Sequence, residues 1–164
     1  MIILGLDPGS RFTGYGLVEK QGGRVTHIDN GTIVCTDALS FDKRLVLIYN
    51  GIEQLIKKFK PDAVAIENIF YSKNAQSALK LGQARGSALV AASKQELPIF
   101  EYTPLVIKQA VVGHGQATKD QVQKMVKMLL NLPQVAEENA SDALAAAICH
   151  AHAEKMNQIL KANS

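Results

Sequence analysis

Cysteine is scarce in this sequence of 164 residues, and its scarcity excludes two kinds of site. Only Cys35 and Cys149 are present. Two cysteines are too few for a disulfide framework, and these two lack the close spacing of paired-cysteine metal sites. We therefore predict two free thiols in a reducing compartment.

The sequence also lacks long apolar runs and a strong charge of either sign. No run approaches the ~20 residues of a membrane-spanning helix, and no basic segment precedes the apolar N-terminus as in a secretory signal. We expect a cytoplasmic protein with no membrane partner. The formal net charge of +3 permits a polyanionic partner without requiring one. With 47% hydrophobic and 20% charged residues, we predict one domain over residues 1–157 and a flexible tail over 158–164.

The first sixteen residues, MIILGLDPGSRFTGYG, contain an apolar run that ends in a carboxylate. The run predicts a fully buried strand. Asp7 would then lie at the end of that strand, where open α/β sheets hold their reactive groups. Alternatively, Asp7 only opens the Asp-Pro-Gly turn, which these residue types favour. The segment by itself supports both interpretations equally.

A second apolar strand, DAVAIE at 62–67, also ends in a carboxylate, Glu67. Between the two lie predicted strands over 14–20 and 24–35, the latter interrupted at Asn30-Gly31, and an amphipathic helix over 40–59. This order predicts that the Asp7 and Glu67 strands are parallel, joined by a right-handed crossover. Their carboxylates would then converge and repel, and a shared proton or a divalent cation would relieve the repulsion.

Small residues recur at every fourth position of the helix predicted over 74–93, at Ala78, Gly82 and Gly86. Glycine costs a helix ~1 kcal/mol relative to alanine, so a close backbone neighbour is indicated. That neighbour is either the sheet of the same chain or a second copy across a dimer seam. A short strand over 97–102 and a helix over 103–111 follow.

Two further helices complete the predicted chain. The first begins with a capping box at Thr118 and carries Lys119 in its first turn, where a nearby anion such as phosphate would be favourable. An exposed surface position is the alternative for Lys119 and for Lys108. The second helix, over about 140–152, follows Asn139, which lies one turn from Asp142. If the helix face that carries Asn139 and Asp142 lies against the strand ends, Asp142 lies beside the carboxylates of Asp7 and Glu67. The histidines at 150 and 152 are interpreted as ordinary tail residues.

Five segments follow one another between Met1 and about His152: LGLDPGSRFTGYG, AIENIF, KNAQSALKLGQARG, IKQAVVGHG and SDALAAAICHAH. In this order they resemble the RuvC family of Holliday junction resolvases. The resemblance implies an α/β, ribonuclease H-like fold with a mixed five-stranded sheet, a three-stranded antiparallel meander plus two parallel strands, flanked by helices. It also implies a homodimer that cuts four-way junction DNA symmetrically with one or two Mg²⁺ ions, for which Mn²⁺ can substitute. Partners implied by the family are the branch-migration proteins RuvA and RuvB.

The resemblance also assigns roles to single residues. Asp7, Glu67 and Asp142 match the catalytic acids of the family. Phe70 matches an aromatic residue near the junction. The residues expected to meet DNA phosphates are Lys108, Lys119, Arg11 and Lys73.

One position departs from the family pattern. An acidic residue or a histidine usually stands three residues before the aspartate that matches Asp142, and here the residue is Asn139. An amide oxygen can bind a hard cation, but it brings no charge and cannot act as a base. We expect weaker metal affinity, which Glu138 could partly restore, and the alternative function is a junction-binding protein with impaired cleavage. A second alternative is an actin-like ATPase, because the first motif resembles the D-x-G-S phosphate loop of that class. That fold needs two lobes around the nucleotide, and the length of this chain predicts one.

Overall fold

The computed structural model describes residues 1–68 and 74–162, with side chains as far as residue 153. Five strands and five helices are described in these ranges. In chain order they are β1 (Ile2–Asp7), β2 (Phe12–Gln21), β3 (Arg24–Val34), α1 (Phe41–Phe59), β4 (Ala63–Glu67), α2 (Ala75–Ser93), β5 (Ile99–Tyr102), α3 (Pro104–Val112), α4 (Lys119–Leu129) and α5 (Glu138–Ala162).

The strands form one mixed sheet in the order β3-β2-β1-β4-β5. Strand β1 pairs antiparallel with β2 and parallel with β4, and β4 pairs parallel with β5. The predicted architecture, a meander extended by two parallel strands, is therefore confirmed. Because β1 lies in the middle, its apolar residues are needed on both faces, and Ile3 and Leu4 are fully buried on opposite faces.

The interruption predicted in the third strand at Asn30-Gly31 is wrong. Strand β3 is continuous, and Gly31 lies opposite Tyr15. A Cβ at Gly31 would lie 2.8 Å from the Tyr15 hydroxyl oxygen, so this glycine makes room for the ring rather than ending the strand. The register instead shifts between Leu17 and Val18 of β2, which indicates a β-bulge.

The two faces of the sheet pack differently. On one face, α5 lies so close that a Cβ at Gly5 would be 1.9 Å from the carbonyl oxygen of Ala143, and one at Gly14 would be 2.0 Å from that of Asn139. On the other face, α1 and α2 pack through larger side chains such as Ile48. Glycine in β1 and β2 thus lets the α5 backbone touch the sheet.

The glycines of α2 do not pack on the sheet. The interpretation that their spacing serves packing on the sheet of the same chain is therefore wrong. A Cβ at Gly82 or Gly86 would meet no atom within 4 Å among the described residues. The helix buries a different stripe, Ala84, Ala88, Ala91 and Ala92. Its outer surface exposes large apolar side chains, including Leu79 at 68% and Val90 at 59%.

The last helix is longer than predicted. It begins at Glu138 and continues to Ala162, whereas the sequence pattern predicted an end near His152. His150 is 4% exposed, contrary to its interpretation as a tail residue, and its Nδ1 lies 2.7 Å from the Tyr102 hydroxyl. Both cysteines are free and buried. Within the described residues, no helix combines the length and apolarity that a bilayer span requires. The division into residues 1–157 and 158–164 stays a prediction.

Candidate active site

Two carboxylates meet at the ends of adjacent parallel strands, as the chain order predicts. Asp7 ends β1 and Glu67 ends β4, and the strands are in register at the preceding pair, Leu6 and Ile66. Side chains alternate along a strand, and Ile3 packs in the α5-side cluster. Asp7 and Glu67 therefore point to the α5 face, where both line a cavity of about 350 Å³.

The helices bring four more polar side chains to this cavity. Asp142 and Asn139 come from the first two turns of α5, Lys108 from α3 and Lys119 from the first turn of α4. Both lysines line the cavity, and Lys119 also holds the exposed position that was the alternative for it, since its side chain is 66% exposed. Apolar side chains complete the lining, namely Pro104, Ile107, Val122 and Ala145.

Local sequence explains why Lys119 begins its helix here. The side chain of Thr118 accepts a hydrogen bond from the Gln121 backbone, and the Gln121 side chain accepts one from the Thr118 backbone, which completes the predicted capping box. The loop before it is anchored by Ala117, which is 2% exposed. The helix start is thus fixed next to the carboxylates, with Lys119 at the first helical position.

The three carboxylates of the cavity lie in surroundings that disfavour their charged forms. Burial, together with the nearby Asp142 and Glu67, raises the pKa of Asp7 to about 7, although Lys119 opposes this shift. Burial also raises the pKa of Glu67 and of Asp142, again against the influence of Lys119 and Lys108. A site of this kind favours the arrival of a cation or a proton.

Lys119 already contacts part of this charge. Its Nζ forms an ion pair with Glu138 and lies 3.7 Å from Oδ2 of Asp142. The hydrogen bond that Lys119 donates to Glu138, ahead of the other causes, raises the pKa of Lys119, and the same bond lowers the pKa of Glu138. Glu138 therefore binds Lys119 in this structure and does not line the cavity, and its substitution for a ligand beside Asn139 stays a prediction.

The donor set fits a hard divalent cation. Asp7, Glu67, Asp142 and the side-chain oxygen of Asn139 are all oxygen donors, which Mg²⁺ prefers. Within the described residues, no three His, Cys, Asp or Glu side chains already form a group able to hold a metal ion. The buried and mutually repelling carboxylates show why a cation would be bound there, since it would offset the raised pKa of Asp7.

One of the predicted DNA contacts, Arg11, does not line the cavity. Arg11 lies in the turn between β1 and β2 and forms an ion pair with Asp37, Nη2 to Oδ2 at 2.9 Å, which Arg44 shares. Phe70 and Lys73 lie outside the described residues.

Sequence reasoning also missed one residue near the site, Arg85. Its guanidinium contacts the backbone carbonyl of Glu67. The available signal was its place in the family segment KLGQARG, to which no role was assigned.

Fold and cavity together define a class of protein. A mixed sheet in the order β3-β2-β1-β4-β5, with acidic side chains at the ends of its two central parallel strands, is the arrangement of ribonuclease H-like nucleases. Comparisons with known proteins narrow this class. The family model described as "Crossover junction endodeoxyribonuclease RuvC" matches residues 3–150. The chain belongs to the RuvC family, as its motifs predict, rather than to the actin-like ATPases.

Named relatives and solved structures agree with this assignment. The chain is 58% identical to the crossover junction endodeoxyribonuclease RuvC of Geotalea uraniireducens, with 98% of this chain and 94% of that protein covered. It is 55% identical to the RuvC of Geobacter sulfurreducens, with 98% of each covered. The structure of T. thermophilus RuvC in complex with Holliday junction substrate is 32% identical, covers 96% of each chain and superposes with a TM-score of 0.91. The yeast mitochondrial resolvase Ydc2, at 13% identity and a TM-score of 0.64 over 91% of this chain and 78% of its own, shares the fold.

Proposed function

We propose that this chain is a structure-selective endonuclease that resolves four-way DNA junctions by paired, symmetric hydrolysis of phosphodiester bonds in recombination and repair. The observation that carries the proposal is the cavity in which Asp7, Glu67 and Asp142 meet two lysines. The T. thermophilus RuvC structure with Holliday junction substrate supports binding of junction DNA. Family membership implies use of a divalent metal.

The finer proposal is that the metal is Mg²⁺, as one or two ions per site, with Mn²⁺ able to substitute. Asp7, Glu67 and Asp142 would hold it, and Asn139 would add a neutral amide oxygen. When bound, the metal supplies activation of water and neutralisation of charge at the scissile phosphate. The carboxylates must be ionised to bind, and the metal is what stabilises their charge against burial.

The lysines would act on the DNA rather than on the metal. Lys119 stands at the N-terminus of α4, where backbone N–H groups and the helix dipole favour an anion. A phosphate at this position would take the place of Glu138 as the partner of Lys119, while Lys108 meets the same backbone from α3. Phosphate contacts position DNA without reading its sequence.

Three further DNA contacts are proposed, of which Phe70 is carried over from the family resemblance. Arg11 and Lys73 would meet DNA phosphates. Phe70 would stack on a base exposed where the strands exchange, a contact worth ~1 to 3 kcal/mol.

Symmetric cutting requires two sites, and we propose that a second copy of the chain supplies the other one. The outer surface of α2 exposes Leu79 and Val90 on either side of its two open glycines. It continues into an apolar groove of about 320 Å³ between α1 and α2. This surface would form the homodimer seam, and RuvA and RuvB would be the further partners implied by the family.

Cleavage of a labelled mobile four-way junction tests the proposal directly. The unaltered protein with Mg²⁺ is expected to introduce paired symmetric nicks in the junction and none in a linear duplex of the same sequence. Asp7→Asn is expected to reduce the cleavage rate by ~10²-fold or more while junction binding persists. Equal cutting of both substrates would contradict structure selectivity, and a parallel loss of binding in Asp7→Asn would contradict its role as a metal ligand.

Asn139 has its own test. Asn139→Asp adds a charged ligand, so the Mg²⁺ concentration for half-maximal cleavage is expected to fall roughly tenfold with junction affinity unchanged. Glu138→Gln should leave this Mg²⁺ requirement unchanged, because Glu138 binds Lys119. Tight junction binding with no cleavage by the unaltered protein would instead identify the impaired junction-binding alternative.

A further inference from the structure

Arg85 connects three elements on the face of the sheet opposite the cavity. Its side chain extends from α2 and is 17% exposed. Through Nη1 it donates a hydrogen bond to the backbone carbonyl of Glu67, at the end of β4. Its Nη2 lies 2.9 Å from Oε2 of Glu101 on β5. The planar guanidinium therefore holds a fixed geometry between the ends of two strands.

The carbonyl of Glu67 lies where the sheet offers it no ladder donor. The N–H groups of Val64 and Asn68 both donate to carbonyls on the β5 side, at 2.9 and 2.8 Å. Backbone groups alternate in direction along a strand, so the carbonyl of Glu67 points toward β1. There the chain leaves the sheet after Asp7 and continues as Pro8, which has no N–H to donate. Arg85 supplies the missing hydrogen bond.

The consequence concerns the direction of the Glu67 side chain. That side chain points to the α5 face and lines the cavity, while Arg85 fixes the peptide group of the same residue from the α2 face. We propose that Arg85 is a positioning residue, which aims the Glu67 carboxylate at the metal by anchoring its backbone carbonyl. This proposal rests on the proposed function, in which Glu67 is a metal ligand.

Glu101 has a supporting part in this arrangement. Its carboxylate forms an ion pair with Nη2, which makes no hydrogen bond, so Glu101 attracts the second arm of the guanidinium by charge. Because α2 also carries the proposed dimer seam, the same arginine links the helix facing the second copy to a ligand of the cavity. The family segment KLGQARG thereby gains a physical role for its arginine.

The test measures metal binding and cleavage separately in Arg85→Lys, which keeps the charge and loses the planar fork. Displacement of a reacting group by about 1 Å can cost ~10²-fold in rate. We expect kcat for junction cleavage to fall ~10-fold or more, with KM for the junction unchanged. Calorimetric titration with Mn²⁺ should show affinity weakened severalfold. Arg85→Met should behave alike, and Lys57→Met on α1, which removes one exposed positive charge, is the matched control and should match the unaltered protein.

Glu101→Gln leaves Arg85 unchanged in sequence but removes its ion pair, and it provides a second variant if both Arg85 variants fail to fold. It is expected to weaken Mn²⁺ binding in the same direction by about two- to threefold. Unchanged Mn²⁺ affinity in folded Arg85→Lys, or in Glu101→Gln when the Arg85 variants do not fold, would overturn the proposal. If the unaltered protein did not cut junctions, the proposed function would fail, while the Mn²⁺ titrations would still decide whether Arg85 positions Glu67.

Discussion

The two faces of the central sheet differ in how closely their helices pack and in whether those helices contribute to the cavity. On the α5 face, the helix backbone lies directly on Gly5 and Gly14, and the same helix delivers Asn139 and Asp142 to the strand ends. On the α1 and α2 face, side chains of ordinary size fill the space, and a Cβ added at either outer glycine of α2 would meet no atom of the described residues within 4 Å. On the first face, the helix that covers the sheet also carries residues of the cavity. On the second face, the outer surface of α2 is available to another molecule.

This contrast indicates that substitutions are tolerated less well on the α5 face than on the outer surface of α2. A small displacement of α5 would move two of the polar groups in the cavity, so its distance from the sheet is set by residues that have no side chain. A change on the outside of α2 meets open space. The predictions below test this difference, beginning with the largest expected effect.

The first prediction concerns the charge on the α5 face. The pKa of Asp7 is raised from 3.8 to about 7, so the folded chain favours its neutral form. Without divalent metal, that contribution to stability is complete below pH 4 and is lost as pH rises through about 7, by up to about 4 kcal/mol. Asp7→Asn should therefore be more stable than the unaltered protein at pH 8 and similar at pH 4 in urea unfolding. A stability difference independent of pH would contradict this origin.

The second prediction concerns close packing on the same face. Gly5→Ala places a Cβ 1.9 Å from the carbonyl oxygen of Ala143, and neither backbone can move without disturbing the sheet. We expect a loss of about 3 kcal/mol or more in the free energy of unfolding, measured by urea denaturation at pH 5. A loss below about 1 kcal/mol would show that α5 is less constrained than its contacts indicate.

The third prediction is the counterpart on α2. Gly82→Ala adds a Cβ that meets no described atom, so the better helix propensity of alanine should stabilise the unassociated chain by about 1 kcal/mol. If a second copy covers this surface, self-association measured by sedimentation should weaken at the same time. Destabilisation of the dilute, unassociated chain would contradict the conclusion that the outer surface of α2, unlike the α5 face, has room for an added side chain.

The smallest expected effect is at the rim of the cavity. Glu138 and Lys119 are both more than half exposed, so Glu138→Gln should change stability by less than about 1 kcal/mol. It releases Lys119 for DNA, so junction binding should tighten a few-fold at low salt, and the gain should vanish at high salt. Glu137→Gln, which removes a neighbouring charge that accepts a hydrogen bond from Thr32, is the control. An equal gain in both variants would mean that general charge, not Lys119, is responsible.

The parts of the site that depend on strand order could be predicted from the sequence. Apolar runs ending in Asp7 and Glu67, separated by a meander and a helix, indicate parallel strands whose ends meet. The one-turn spacing of Asn139 and Asp142 indicates that both lie on one side of α5. These inferences need only local periodicity and the handedness of crossovers.

The parts that depend on how helices pack could not be predicted. Sequence left Lys108 and Lys119 undecided, because their depth in the cavity is set by the docking of α3 and α4. It misplaced the break in β3, because the role of Gly31 follows from the Tyr15 ring on the neighbouring strand. It also did not indicate the contact between Glu138 and Lys119, since this proximity depends on how α4 and α5 pack against each other.

The contact between Gly5 and α5 also affects when the cavity is completed during synthesis, because it joins the first strand to the last described helix. Residues at the start of the chain are covered by a helix that the ribosome makes after every other described element. A nascent chain can form the meander early, but Asp7 and Glu67 face an unfinished surface until α5 emerges and adds Asp142. A chain interrupted before α5 therefore lacks both the helix that covers this face of its core and its third carboxylate, so we expect truncated synthesis products not to cleave DNA.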